Sequence, residues 1–185
     1  SIVPSIDIVN PSDGMLFSEA PEIQVSIFDI HINETWYTII GSAQNYPFST
    51  DTFEVDPTLW AAQDEDSIII RIHANDTAGN IEFADLTVVK DSLNPILIIN
   101  SPLGGTQIGT TPPTINITIT ELHLDKLWFR INDSSNFYFV TVSNGENVFA
   151  MESSIWDIIP EGHVKIDFFA NDTLGQIGTI SITII

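Results

Sequence analysis

A chain of 185 residues with 25 acidic against 5 basic side chains carries a formal charge of −20, and it contains no cysteine. That balance excludes nucleic acid as a partner, because phosphate binding requires a basic face, and the same repulsion disfavours anionic membrane surfaces. The lack of cysteine removes disulfides, thiolate metal sites and cysteine nucleophiles, and no apolar run reaches the length of a membrane span.

In chain order, strands are predicted at 4–9, 22–28, 35–40, 47–54, 67–74 and 81–89, with Pro, Gly, Asn and Asp between them. The basis is a period of two: Ile68, Ile70, Ile72 and Ala74 share one face of their segment. A tight turn is expected at DPTLW (56–60), and ANDTAGN (74–80) reads as the tip of a hairpin. There Asp76 can accept bonds from backbone N–H groups just ahead of it, and Gly79 supplies the positive φ of a short loop. Truncating Asp76 to Ala is expected to cost about 1 kcal/mol, as for a lost capping bond. VVKDSLNP (88–95) then joins two strand systems, since a residue before proline is pushed towards extended geometry. So short a linker predicts domains set end to end with limited swing.

Beyond the linker the same order returns. ANDTLGQ (170–176) repeats ANDTAGN after Val164, Ile166, Phe168 and Ala170. Asn75 to Asn171 and Trp60 to Trp156 share an offset of 96, while FDIHINETWY (28–37) lies over TELHLDKLWF (120–129) at an offset of 92. Two all-β units follow, 1–91 and 92–185, each expected to be an antiparallel sandwich of two sheets. Residues 1–185 end on ITII where the first repeat adds Lys-Asp, and no signal peptide opens them, so a segment of a longer protein is expected.

The string of an apolar strand with Asn-Pro or Asn-Ser-Pro, the Trp-Tyr or Trp-Phe pair, Leu/Ile-Trp, A-N-D-T-x-G-N and V-V-K-D resembles tandem Ig-like repeats, related to cadherin-like modules. It is most similar to those of prokaryotic, archaeal and in particular Asgard, secreted and cell-surface proteins. That resemblance implies an extracellular module of a long surface chain, S-layer-like or filament-forming, whose partners are neighbouring repeats or other copies. A glycan or protein ligand of an adhesin-type module is the alternative.

Catalytic motifs are missing: there is no Gly-x-Ser-x-Gly, His-Glu-x-x-His, P-loop or dinucleotide fingerprint, so no enzyme is expected. His31 and His123 stand at equivalent positions between aliphatic neighbours without a second ligand at suitable spacing, which predicts exposed histidines rather than a metal site. The four tryptophans form two equivalent pairs, expected to plug the core or cover a sheet. Because Trp36 and Tyr37 are adjacent on one strand, one of them must lie outside; exposed aromatics gathered in one patch would favour binding over a structural role. Acceptor asparagines for N-linked glycans are Asn33, Asn75, Asn116, Asn132 and Asn171. Of these, Asn116 opposes the apolar set Ile115, Ile117 and Ile119 and should face solvent. The acidic residues Asp64, Glu65, Asp66, Asp91, Glu121, Asp125 and Asp172 are candidate ligands of a Ca²⁺ ion at the junction of the two units, although they lack the EF-hand spacing.

Overall fold

The computed structural model describes residues 2–185. They form two compact units, the first ending at Ser92 and the second running Leu93–Ile185.

In the first unit β1 (Ser5–Asn10), β3 (Glu22–Phe28) and β6 (Thr52–Glu54) make a three-stranded sheet in the order β1-β3-β6. A five-stranded sheet, ordered β2-β8-β7-β4-β5, contains β2 (Leu16–Phe17), β4 (Ile32–Ile39), β5 (Tyr46–Pro47), β7 (Asp66–Asp76) and β8 (Ile81–Lys90). Pairing is antiparallel apart from β2 against β8. The two sheets close on a core in which Ile23 and Val25 of β3 meet Ile39, Ile70, Ile72 and Val88 of the larger sheet. Alternation along β7 is what the sequence pattern requires: Ile68, Ile70, Ile72 and Ala74 are buried, while the residues between them are not.

The stretch expected as one strand at 47–54 is two short pieces in opposite sheets. Residues Tyr46 and Pro47 pair with β4, and Thr52–Glu54 pairs with β3. Proline cannot donate to a ladder, so β5 stays a two-residue edge and the chain crosses over. The expected turn at DPTLW is a short helix, α1 (Pro57–Ala61), with Asp56 accepting from Leu59 N at 2.8 Å and Pro57 in the first turn. It drives Trp60 into the core, where the ring is 3% exposed.

The second unit repeats this plan. β9 (Ile96–Ser101), β10 (Thr114–Thr120) and β13 (Gly145–Ala150) form a sheet ordered β13-β10-β9. Against it lies a sheet ordered β12-β11-β14-β15, from β11 (Leu124–Ile131), β12 (Tyr138–Val140), β14 (Val164–Asp172) and β15 (Ile177–Ile184). Helix α2 (Ser153–Trp156) occupies the place of α1, but Glu152 makes no side-chain cap there. Trp156 is only partly buried, and its Nε1 donates to Gly109 O at 3.1 Å. Where β15 passes the start of β9, Gly178 is required by close approach: a Cβ would overlap Pro95 O and meet Leu97 Cδ1 at 2.8 Å. Both units are antiparallel β-sandwiches of the Ig-like class.

Candidate binding faces of the larger sheets

Each repeated turn is a cage around one carboxylate. Asp76 Oδ1 accepts from Ala78 N and Asn80 N, each at 2.9 Å, and Oδ2 accepts from Asn80 Nδ2 at 2.6 Å. Asp172 accepts likewise from Leu174 N and Gln176 N at 2.9 Å and from Gln176 Nε2 at 3.0 Å. The preceding loop is tied in by Thr77 N to His31 O and Thr173 N to His123 O. Gly79 and Gly175 have φ of 87° and 86°, a left-handed geometry that other residues reach only with strain. Turn chemistry therefore accounts for the Asp, the Gly and their spacing, and the longer Gln176 reaches the same oxygen as Asn80.

The outer faces of the larger sheets are where the aromatics gather. Alternation puts Tyr37 inward, 3% exposed, stacked on Phe53 in the core with its hydroxyl oxygen accepting from Asp56 N at 2.7 Å, so Trp36 is turned out. In register across β5, β4, β7 and β8 stand Pro47, Trp36, His73 and Phe83. Trp36 and His73 stack at 4.9 Å with 5° between planes, and His73 meets Phe83 at 6.3 Å. The next row holds Thr38, Arg71 and Asp85. Arg71 grips Asp85 through Nε (2.7 Å) and Nη2 (2.8 Å) while its guanidinium carbon lies 4.1 Å from the Phe83 ring centre. That hydrogen bond, ahead of any other cause, holds the Asp85 carboxyl below its ordinary value. Burial, then the charge of Arg71, pushes the His73 imidazole below its ordinary value.

In the second unit the corresponding row is Phe139, Trp128, Phe169 and Thr179. Trp128 stacks on Phe169 at 5.7 Å and 9°, faces Phe139 at 6.1 Å, and Phe137 meets Phe169 edge-on at 6.1 Å. Phe139 is 70% exposed and Phe137 48%. The charged row is Arg130, Asp167 and Ser181. Arg130 binds Asp167 at 2.9 Å and Asp133 at 3.2 Å, which draws it away to 5.6 Å from the Phe169 ring centre. Lys165 reaches Asp133 at 3.1 Å and Asp167 at 3.2 Å. Burial raises the Asp167 carboxyl, but bonds from Ser181, Arg130 and Lys165 together outweigh it and leave the group below its ordinary value. At the other end of the row Lys126 binds Asp125 at 2.8 Å.

Four of the five basic residues, Arg71, Lys126, Arg130 and Lys165, thus lie on these two faces. The fifth, Lys90, is buried and donates to Gln63 O at 2.6 Å. Sixteen acidic and two basic residues give the first unit −14, and nine and three give the second −6, which together make the −20 of the chain. On the second unit's face Lys126, Arg130 and Lys165 meet Asp125, Asp133 and Asp167, so its charges balance. The tryptophans were expected to plug the core or cover a sheet, with the choice between Trp36 and Tyr37 as the outer residue left open; Tyr37 is inside, and Trp36 and Trp128 are half-buried on the outer face. Phe137, Phe139, Phe169 and the basic residues were not singled out. The available signal was parity: residues 165, 167, 169 and 171 alternate with the apolar set of β14.

The other marked residues are placed as follows. Within the first unit, Glu65 accepts from Ser92 N at 2.7 Å and lies 3.5 Å from Lys90 Nζ, while Asp66 accepts from Ser67 N at 2.7 Å and has a φ of 108°. Asp64 is exposed, and the N–H of Asp91 donates to Phe17 O. Within the second unit, Glu121 accepts from His123 N at 3.0 Å, and Asp125 also accepts from Asn171 Nδ2 at 3.3 Å. Asn33 is exposed near the start of β4, and Asn132 is exposed in the turn after β11. Asn75 accepts from Glu34 N at 2.8 Å, Asn171 donates to Asp172 O at 3.0 Å, and Asn116, on the outer side of β10, donates to Glu146 at 2.6 Å. His31 is exposed, and His73 is the stacked ring described above.

No family model matches the chain, and no curated protein matches it. Among solved structures it is similar to fibronectin(III)-like modules of Clostridium thermocellum CbhA, at 12% identity and a TM-score of 0.41 over 97% of this chain and 93% of that one. It is also similar to a 1.5-MDa bacterial ice-binding adhesin, at 15% identity and a TM-score of 0.44, over 97% of this chain and 63% of that one. A third is the protocadherin fragment PcdhgB3 EC1-4, at 13% identity and a TM-score of 0.40, where the chain spans 50% of the other's length and is itself 99% covered. At these values the likeness is one of strand arrangement, and the fold assignment rests on the sheets themselves.

Proposed function

We propose that the chain is a non-enzymatic, extracellular adhesion module of a surface protein built from tandem Ig-like repeats, and that the outer face of β12-β11-β14 is its contact surface for protein. The observation that carries this reading is the exposed aromatic group of Phe137, Phe139, Trp128 and Phe169 set between charge-balanced ends. An apolar centre with a polar rim is the anatomy of a protein interface. Sugar-ring stacking needs a free aromatic face, and Trp128 has Phe169 on one side and Phe139 on the other. Protein is therefore favoured over glycan. The test is adherence of chain-coated beads to the cells that make the protein: it should be lost with Phe139→Glu and survive enzymatic deglycosylation of the cells. Adherence indifferent to Phe139 would overturn the reading.

A second reading is a purely structural repeat of an archaeal S-layer-like or filament-forming chain. It is supported by the carboxylate cage built identically in both units, since a shared fold requires no partner to explain it. Two further proposals accompany either reading. Glycans would sit on Asn33 and Asn132, whose side chains are exposed, before Asn75, Asn116 and Asn171, and intact mass of the native protein tests this. Calcium uptake by Asp64, Glu65, Asp66, Asp91, Glu121, Asp125 or Asp172 is tested by melting with millimolar Ca²⁺ and with chelator. Asp172 is the least available, because three donors occupy its oxygens.

A further inference from the structure

We infer that the protein recognised by the second unit's outer face is a second copy of this chain. This rests on reading that face as a protein-contact surface, and it goes further by naming the occupant. Charge decides the choice. Two copies, each at −20, repel over most of their surfaces. Every basic residue of the second unit lies on this one face and is matched by Asp125, Asp133 or Asp167, so two such faces approach without net repulsion. A basic partner is drawn elsewhere, to the unbalanced carboxylates of the first unit. A nucleic acid or an anionic surface gains nothing from a neutral patch.

The pattern is also self-complementary. The aromatic row is central, with Arg130, Lys165 and Asp133 at one end and Lys126 with Asp125 at the other. A two-fold axis through the row superposes aromatic on aromatic, and the groups at each end can re-pair across the contact, cation to carboxylate, which is what an isologous interface demands. Phe139, 70% exposed, becomes the side chain that gains most from burial. The first unit's face is a poorer candidate, because Arg71 already covers Phe83 at 4.1 Å.

Sedimentation velocity on the whole chain tests this, at concentrations from about 1 µM to about 1 mM, the range of transient contacts. The mass should rise from 20.4 kDa towards twice that value with concentration. It should rise further between about 0.1 and about 1 M NaCl, as the Debye length falls from ~10 to ~3 Å and the residual repulsion is screened. Phe139→Glu should abolish the dimer with unchanged circular dichroism, and Phe83→Glu, in the first unit, should leave it intact. A chain that stays monomeric throughout, a dimer that survives Phe139→Glu, or one lost equally in Phe83→Glu overturns the inference. If the chain is monomeric while bead adherence still depends on Phe139, the partner is another protein and the reading of the face stands. If adherence is also indifferent to Phe139, that reading falls with it.

Discussion

The two larger sheets carry the same rows at the same register, yet one outer face is closed and the other open. In the first unit His73 stacks within 5° of Trp36, and Arg71 lies over Phe83, so ring faces are spent on one another. In the second, Phe169 replaces His73, Thr179 replaces Phe83, and Arg130 is pulled towards Asp133 and Asp167. The aromatic weight moves to the opposite edge, onto Phe139 and Phe137. A few side chains at fixed register positions thus decide whether a sheet face is finished surface or available surface. The core beneath, with Ile70 and Ile72 matched by Ile166 and Phe168, need not change.

The comparison can be broken at several depths. The largest effect is expected at the helical plugs. Trp60→Ala removes a ring that is 3% exposed and should cost about 3–5 kcal/mol. Trp156→Ala, at the partly buried counterpart, should cost about 1–2 kcal/mol by proportion of area lost; urea unfolding of each variant checks the gap, and equal costs would show the helices to be equivalent. Next come the carboxylate cages. Asp76→Ala and Asp172→Ala each strip three charge-assisted bonds, so about 2–3 kcal/mol is expected, more than the single capping bond read from sequence. Hydrogen exchange should confine each loss to its own unit.

Gly178→Ala should follow, at about 1–3 kcal/mol for overpacking against Pro95 O, while Glu82→Ala at the equivalent place in the first unit should be near neutral. Matching melting temperatures for the two would show that β9 can yield. The smallest effect concerns pH. Folding holds the His73 imidazole below the ordinary histidine value of about 6.5, by burial first and by the charge of Arg71 second. The unfolded chain therefore takes the proton more readily, so this contribution is intact above about 6.5 and is lost as pH falls below it. His73→Phe, which copies Phe169, should remove that part of the stability profile between about pH 7 and 5. An unaltered slope would mean that the ring carries no linkage.

Much was legible before any coordinates. The period of two in 68–74 and 164–170 assigned the buried sets of β7 and β14 because opposite faces of a strand are chemically distinct there. The Asp-Gly turns were legible because their bonds are local, reaching at most four residues. Repetition at an offset of 96 located both units' shared elements for the same reason. What only the tertiary structure decided was long-range. Alternation shows that Trp36 and Tyr37 face opposite ways, but two aromatics in succession do not say which is inside; packing of Tyr37 against Phe53 and Tyr46 does. The split of 47–54 depends on two different neighbours, β4 and β3, competing for one stretch. The open face is assembled by pairing Trp128 with Phe139 and Phe169, residues whose register is set by strand ladders rather than by anything adjacent to them in the chain.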